Sequence, residues 1–189
     1  KRDIKKALPG KFDIEFFEHH DCHAMSSICT TDWDRCAVMV VDSMGGRYAT
    51  SLGIFEDDKI TWLKRFEYPN SLGLFYSTMT SYLGHSVNNG ENKVMSMAAY
   101  GNDEYYDKIL KIIKQDDESI FKQDFKYFSY QYSLTDSYSD DLIELLGQPR
   151  KSEENFLNSD GNLINDEAKR FANIAFSTQR ITEEIIKKK

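Results

Sequence analysis

Three of the four histidines of this 189-residue chain lie within five consecutive positions. They are His19, His20 and His23, in the segment FEHHDCHAMSS. Residues four positions apart share one face of a helix, so His19 and His23 can present two imidazoles to one metal ion, whereas His20 points elsewhere. Two helical histidines can equally be partly buried polar residues, and a third hard ligand would favour the metal.

A second set of candidate residues follows a strongly apolar run. Residues 36–42, CAVMVVD, are typical of a strand buried on both faces, and α/β sheets place their chemistry at the carboxyl ends of strands. Asp42 ends this run, and it could be a metal ligand or the acid that starts a turn. Gly45 and Gly46 follow, and they could let backbone N–H groups approach a phosphate or simply form that turn.

Periodicity predicts a mixed α/β arrangement around these residues. A helix over 16–28 carries the histidines, and two strands over 48–56 and 59–68, joined at a turn over 57–58, follow the apolar run. Three consecutive antiparallel strands are therefore expected. A further helix is predicted from Ser71, with Asn70 or Ser71 as its N-cap and Gly84 just past its end. Other predicted helices lie over 93–100, from Asp103 to about 115, over 141–146 and from Asp166 to the end. An aromatic-rich region without clean period covers 116–137, and a polar loop covers 151–161.

The composition is typical of a globular chain, and its charge disfavours the binding of polyanions. Hydrophobic residues make up 40% of the sequence, with 12 Phe and 11 Tyr, which supplies enough apolar surface for a core. The 24 Lys and Arg against 31 Asp and Glu give a net charge of -7, which disfavours nucleic acids and membrane surfaces as partners. No apolar run approaches the roughly 20 residues of a bilayer span, and the N-terminal segment predicts no signal peptide. We therefore expect a cytoplasmic protein.

The cysteines predict neither a disulfide framework nor a zinc knuckle. Cys22, Cys29 and Cys36 are odd in number and stand seven positions apart, without a CxxC pair. We expect reduced, mostly buried thiols.

Four ordered segments carry the motifs of a known family. They are EHHDCHAMSS at 18–27, VVDSMGG at 40–46, PNSLGLFYSTMTSYLG at 69–84 and GENKVMSMAAYG at 90–101. They resemble the signatures EHHxxHAxSA, VVDGxGE, PxSLGxFYxxxTxxLG and GExKVMGLAAYG of the O-carbamoyltransferases that act on nodulation factors, antibiotics and related acceptors. The resemblance extends loosely over most of the chain.

The resemblance implies an incomplete α/β fold. The transferase domain of that family is related to the protein that forms threonylcarbamoyladenosine in tRNA, and it has the two-lobed actin-like (ribonuclease-H-like) fold of acetate and sugar kinases. Residues 1–34 are then expected to end lobe one with the metal-binding helix. Residues 35–189 would form the first half of lobe two, with a helical insertion at about 102–160. The missing remainder of the two lobes and a separate adenylate-forming domain would be partners of this piece, which should be inactive alone.

The resemblance also implies a reaction and its ligands. Members transfer a carbamoyl group from carbamoyl phosphate, through carbamoyl-adenylate formed with ATP, to the hydroxyl of a small-molecule acceptor. His19, His23 and Asp42 are expected to hold a divalent metal, iron in the first place, and such a set of nitrogen and oxygen donors suits the ion. No catalytic residue is assigned. The residues expected at the nucleotide or carbamoyl-adenylate are Gly45, Gly46 and Lys93.

Other interpretations stand beside this one. Ser43 replaces the usual glycine after the aspartate, and Arg47 replaces an acid, which slightly favours a degenerate, non-catalytic homologue acting as a binding module. A metallohydrolase would need a glutamate base next to a ligand, and Glu18 precedes His19 rather than lying between the ligands as in HExxH. Lys93 could equally be a solvated surface charge.

Overall fold

Local sequence signals set the bounds of many helices and strands in the computed structural model. The structure describes residues 2–8, 10, 12–117, 119–152 and 154–187. Strands β1 (Arg35–Gly45), β2 (Tyr48–Glu56) and β3 (Lys59–Glu67) form one antiparallel sheet in the order β1-β2-β3. The predicted succession of three antiparallel strands is thus confirmed. The chain divides into two units, residues 1–40 with 51–65 and residues 41–50 with 66–189.

The first unit is built around a small apolar cluster. It contains helices α1 (Arg2–Ala7) and α2 (His19–Ile28), together with parts of the three strands. Ala24 and Ile28 of α2 are buried in one cluster with Val38 and Val40 of β1 and with Phe55 of β2. These α2 residues are four positions apart, so one face of the helix packs on the strands while the other stays in solvent.

Two aspartates make the tight turn between β2 and β3. Asp57 and Asp58 have φ values of 51° and 57°, the left-handed conformation that a two-residue hairpin loop requires at both positions. Aspartate adopts this conformation more readily than most residues because its short side chain can hydrogen-bond locally. The turn predicted at 57–58 is confirmed.

Two expectations about burial are wrong. Val38 and Val40 are buried, but Val41 is 40% exposed, so β1 alternates rather than being buried on both faces. The cysteines are also not mostly buried, because Cys22 and Cys29 are exposed and Cys36 is half-buried. Cys22 and Cys29 belong to α2 and its end, on the side that the apolar cluster does not use.

The second unit is mainly helical. Helix α3 begins where predicted, because the Ser71 side chain accepts a hydrogen bond from the Leu74 amide and so caps its first turn. Helix α7 packs against α4 and α5, as the apolar stripe of the C-terminal segment predicts. The elements are α3 (Leu72–Tyr82), α4 (Glu91–Ala98), α5 (Tyr106–Ile112), β4 (Ile113–Gln115), β5 (Phe121–Gln123), α6 (Asp140–Leu146) and α7 (Asp166–Lys187), with 3-10 turns at Asp103–Tyr105 and Phe125–Tyr127.

The prediction of a single helix from Asp103 to about 115 is wrong. A 3-10 turn capped by Asn102 comes first, α5 follows, and residues 113–115 form strand β4. β4 pairs antiparallel with β5, with Lys114 opposite Lys122. The strand partner lies in the region for which no element was predicted, so helical periodicity alone missed the pairing.

The aromatic region over 116–137 contributes mostly to packing. Phe121, Tyr127 and Phe128 are buried, whereas Tyr132 is largely exposed. The Tyr130 hydroxyl donates to the Pro69 carbonyl at 3.1 Å, and burial raises the pKa of this tyrosine. Among the described residues, no helix combines the length and the apolar character that crossing a membrane requires.

Candidate metal centre

The histidine helix α2 begins at a side-chain cap. Glu18 is extended, and its Oε2 accepts from the amides of His20 (2.9 Å) and Asp21 (3.2 Å). Two otherwise unpaired amides of the first turn are thereby satisfied, which explains why the helix begins at His19 and not at Phe16 as predicted. Burial raises the pKa of Glu18, but hydrogen bonds from the Asp21 amide and from Arg65 together hold it below its ordinary value.

His19 and His23 lie on successive turns of α2 with their rings facing each other. The ring centroids are 4.5 Å apart, and the two Nε2 atoms are 2.9 Å apart. Both side chains are exposed. The prediction that these two residues share one helical face is confirmed.

The distance between the two nitrogens suits a chelated cation. Imidazole nitrogens bind zinc-like ions at about 2.0–2.1 Å, and two such bonds at a right angle place the nitrogens about 2.8–3.0 Å apart. The observed 2.9 Å therefore fits two adjacent positions of an octahedral ion. Without an ion, one ring can donate a hydrogen bond to the other at this distance.

The side chain of His20 lies in the interior of the first unit. It is fully buried, and its Nδ1 lies 2.7 Å from the hydroxyl oxygen of Ser51 on β2. His20 thus points away from the His19–His23 face, as the helical spacing predicts.

Asp42 is half-buried near the end of β1, in the second unit. Its Oδ1 accepts from the Ser43 amide at 2.7 Å, and its carbonyl oxygen accepts from the Ser71 hydroxyl at 2.9 Å. A Cβ atom on Gly73 would lie only 2.5 Å from that carbonyl oxygen. The first turn of α3 is therefore in direct backbone contact with the strand residue that carries the carboxylate.

A glutamine side chain reinforces the start of α3. Gln123 of β5 accepts from the Ser71 amide at 3.0 Å and donates to the Ser71 carbonyl at 3.1 Å. Its amide therefore pairs with Ser71 as the backbone of a neighbouring strand would. No local sequence pattern indicates this contact, because the two residues are 52 positions apart.

The glycines proposed for nucleotide binding lie in a tight turn. β1 ends at Gly45, β2 begins at Tyr48, and Gly46 has a φ of 68° with no atom within 4 Å of an added Cβ. Arg47 in the same turn forms an ion pair with Glu67 at 2.7 Å. The positive φ explains Gly46 structurally, and the contact of both glycines with a nucleotide stays a prediction.

Lys93 and Arg150 have different environments. Lys93 is exposed on α4, which agrees with a solvated charge and leaves it accessible to an anion. Arg150 is buried and donates to the main-chain carbonyls of Leu83 and Glu154, so it holds a loop through backbone carbonyl groups.

Comparison with known proteins decides the family. The family model described as carbamoyltransferase N-terminus matches residues 2–189. The chain belongs to this family. The motif resemblance found in the sequence is thereby confirmed at the level of the family.

The relatives of this chain are longer proteins. It is 34% identical to the uncharacterized protein sll1178 of Synechocystis over 195 residues, which cover 98% of the chain and 30% of that protein. The nodulation protein NolO of Bradyrhizobium diazoefficiens is 32% identical over 92 residues, covering 49% of the chain and 17% of NolO. The uncharacterized protein MJ1058 of Methanocaldococcus jannaschii is 30% identical over 137 residues, covering 64% of the chain and 22% of that protein. The chain thus spans less than a third of the length of these relatives.

Proposed function

We propose that the full-length protein is an O-carbamoyltransferase and that this chain supplies ligands for its metal ion. The reaction would take carbamoyl phosphate and ATP, pass through carbamoyl-adenylate, and carbamoylate the hydroxyl of a small-molecule acceptor. Family membership supports the transferase class. The remainder of the protein would complete a two-lobed, actin-like domain and add the adenylate-forming domain, so the chain would be inactive alone.

The observation that carries the metal role is the pair of Nε2 atoms 2.9 Å apart on the exposed face of α2. A cation bound between the two rings would take one nitrogen ligand from each imidazole, and this separation leaves room for it. The pair would bind iron or another divalent first-row metal, because imidazole suits all of them. Asp42 is the carboxylate proposed as a further ligand.

Strand periodicity supports Asp42 in that role. Val38 and Val40 share a buried cluster with Ala24 of α2, and side chains two positions apart lie on the same face of a strand. By the same alternation, Asp42 is expected on the face of β1 that carries Val38 and Val40. His19, His23 and Asp42 also offer the kind of single donor atoms that together hold a metal ion.

The chemistry of the transfer follows from these groups. The acceptor oxygen would attack the carbamoyl carbon and lose its proton, the bond from that carbon to the adenylate phosphate oxygen would break, and AMP would leave. A bound cation supplies electrophilic polarisation of the carbonyl or acceptor oxygen. The backbone amides at Gly45 and Gly46 and the ammonium group of Lys93 would hold the adenylate by hydrogen bonds and charge.

The environment of Glu18 disfavours the metallohydrolase alternative. Its carboxylate accepts from two helix amides and forms an ion pair with Arg65 at 2.6 Å. A general base needs an available, hydrogen-bond-accessible carboxylate whose pKa is near the working pH, whereas the pKa of this one is lowered. Glu18 is instead used to begin the helix.

Replacement of both histidines by alanine in the full-length protein tests the proposal. The measurements are metal content by elemental analysis and carbamoyl transfer to a panel of hydroxyl acceptors with carbamoyl phosphate and ATP. Cys22→Ala is the matched control, because Cys22 is an exposed potential ligand on the same helix. We expect about one metal ion per wild-type and Cys22→Ala protein, and loss of both the metal and the transfer in the double variant.

Three results would count against the proposal. If the double variant keeps the metal, the ligands lie elsewhere. If it loses the metal but keeps carbamoyl transfer, or if the wild type has no transferase activity, the non-catalytic binding module becomes the better account.

A further inference from the structure

Arg65 of β3 connects to the first turn of the histidine helix through two carboxylates. Its Nη2 lies 2.6 Å from Glu18 Oε2 and 3.6 Å from Asp21 Oδ1. Only 20% of the Arg65 side chain is exposed, so water screens these contacts less than it screens a surface ion pair. Glu18 is the cap of α2 and Asp21 lies in its first turn, so both contacts act at the beginning of the helix.

Trp62, three positions earlier on β3, fixes the direction of the same guanidinium group. Its indole Nε1 donates to Asp21 Oδ1 at 2.7 Å, and the Arg65 guanidinium carbon lies 4.8 Å from the indole ring centroid. A planar guanidinium that stacks on an aromatic face has a fixed orientation, which an ammonium group on a flexible stem would not reproduce. The Asp21 carboxylate thus connects both β3 residues to α2.

A third connection runs through Ser51 to His20. Arg65 Nε donates to the Ser51 hydroxyl oxygen at 3.3 Å, and this oxygen lies 2.7 Å from His20 Nδ1. Ser51 and His20 are both fully buried. Arg65 thus contacts Glu18 and Asp21 directly and reaches His20 through Ser51, and all three of these residues lie close to His19 in the sequence.

We propose that Arg65 is the positioning residue for the His19–His23 pair, an inference that rests on the metal role proposed above. Side-chain atoms of a helix lie about 5–6 Å from its axis, so a rotation of only 10° moves them by about 1 Å. A binding constellation has to be held within about 0.5 Å. The anchored residues on both sides of His19 prevent that rotation, and α2 then presents both Nε2 atoms at the separation a cation requires.

The test compares arginine variants of the purified full-length protein after chelator treatment, with Co²⁺ as the probe. The measurements are the dissociation constant from Co²⁺ titration and the visible absorption spectrum, which reports coordination geometry. Loss of groups that orient metal ligands typically weakens metal affinity about 10–100-fold, and we expect this for Arg65→Met. Arg65→Lys keeps the charge without the planar fork, and we expect it to fall between Arg65→Met and the wild type.

Arg35→Met is the matched control. Arg35 also forms an ion pair within this sheet, with Glu56 at 3.3 Å, but 66% of its side chain is exposed. We expect its Co²⁺ affinity and spectrum to equal those of the wild type. If Arg65→Met does not fold, Trp62→Phe replaces it, because phenylalanine keeps an aromatic face and removes the donor to Asp21. We expect weaker Co²⁺ binding in this variant also.

The outcomes separate the two proposals. If the wild type binds Co²⁺ through the histidines but the folded Arg65 and Trp62 variants bind it with wild-type affinity and spectrum, Arg65 is a structural residue and the inference is overturned alone. If the wild type binds no Co²⁺, or binds it equally well after both histidines are replaced, the metal role fails and the positioning role fails with it.

Discussion

Gly73→Ala tests how tightly α3 fixes the strand residue Asp42. An added Cβ would lie 2.5 Å from the Asp42 carbonyl oxygen, 2.6 Å from its carbonyl carbon and 2.7 Å from the Ser43 nitrogen. An ordinary contact needs at least 3.4 Å, so the helix and the strand must separate by about 0.9 Å. All three atoms belong to backbone, which cannot move aside as the end of a flexible side chain can.

The expected loss of stability follows from two opposing contributions. Overpacking of a close contact costs about 1–3 kcal/mol, whereas alanine is favoured over glycine within a helix by at most about 1 kcal/mol. The net effect on the free energy of unfolding is therefore a loss of about 1–2 kcal/mol. Because Asp42 is displaced at the same time, we also expect Co²⁺ affinity to fall by about tenfold or more if Asp42 is a metal ligand.

Urea denaturation and Co²⁺ titration of the full-length variant measure the two effects. Gly161→Ala is the control, because Gly161 has a φ of 79° and no atom within 4 Å of an added Cβ. Alanine in that left-handed conformation costs about 1–2 kcal/mol, so both variants lose comparable stability while only one disturbs Asp42. A Gly73→Ala protein with wild-type stability and wild-type Co²⁺ affinity would refute the proposed contact and its consequence for the ligand.

Two further predictions concern the stability of the second unit. Tyr82 is fully buried and donates to the Gly147 carbonyl at 2.6 Å, and burial raises its pKa to about 12. Tyr82→Phe should therefore lower the free energy of unfolding, measured by urea denaturation, by about 1–2 kcal/mol. An unchanged free energy of unfolding would contradict the role of this hydrogen bond. Burial raises the pKa of Glu91, but hydrogen bonds from the Asn88 amide and the Ser77 hydroxyl, among others, lower it overall. Its contribution to stability is therefore complete above the ordinary glutamate pKa and is lost as the pH falls through the lowered value in the folded state. Glu91→Gln should flatten the acid limb of a stability curve measured between pH 7 and 3, and an unchanged acid limb would contradict this assignment.

Periodic and capping signals allowed much of the fold to be predicted from the sequence. The four-residue spacing of His19 and His23, the start of α3 and the two-aspartate turn each depend on a few neighbouring residues. The spacing and the turn are confirmed, and of the two expected caps, Asn70 and Ser71, the structure uses Ser71. The error over residues 103–115 has a different cause. Strand β4 forms because β5 pairs with it, and such pairing has no local periodic signal over three residues.

The groups that orient the candidate ligands could not be predicted for a related reason. Arg65 and Glu18 are 47 positions apart, and Gly73 meets Asp42 across 31 positions. An arginine in a strand and a glycine in a helix have many structural explanations when they are considered singly. Only the three-dimensional contacts identify what each of them holds.

The pairing of Gln123 with Ser71 limits how this protein can be shortened. The helical insertion expected at about 102–160 would be a natural segment to remove from a shorter version, but Gln123 lies within it and satisfies both the amide and the carbonyl of Ser71. Deletion would leave the residue that caps α3 without these two hydrogen bonds and would loosen its hold on the Asp42 carbonyl. This segment thus supports the start of α3, and truncated versions should keep residues 113–123.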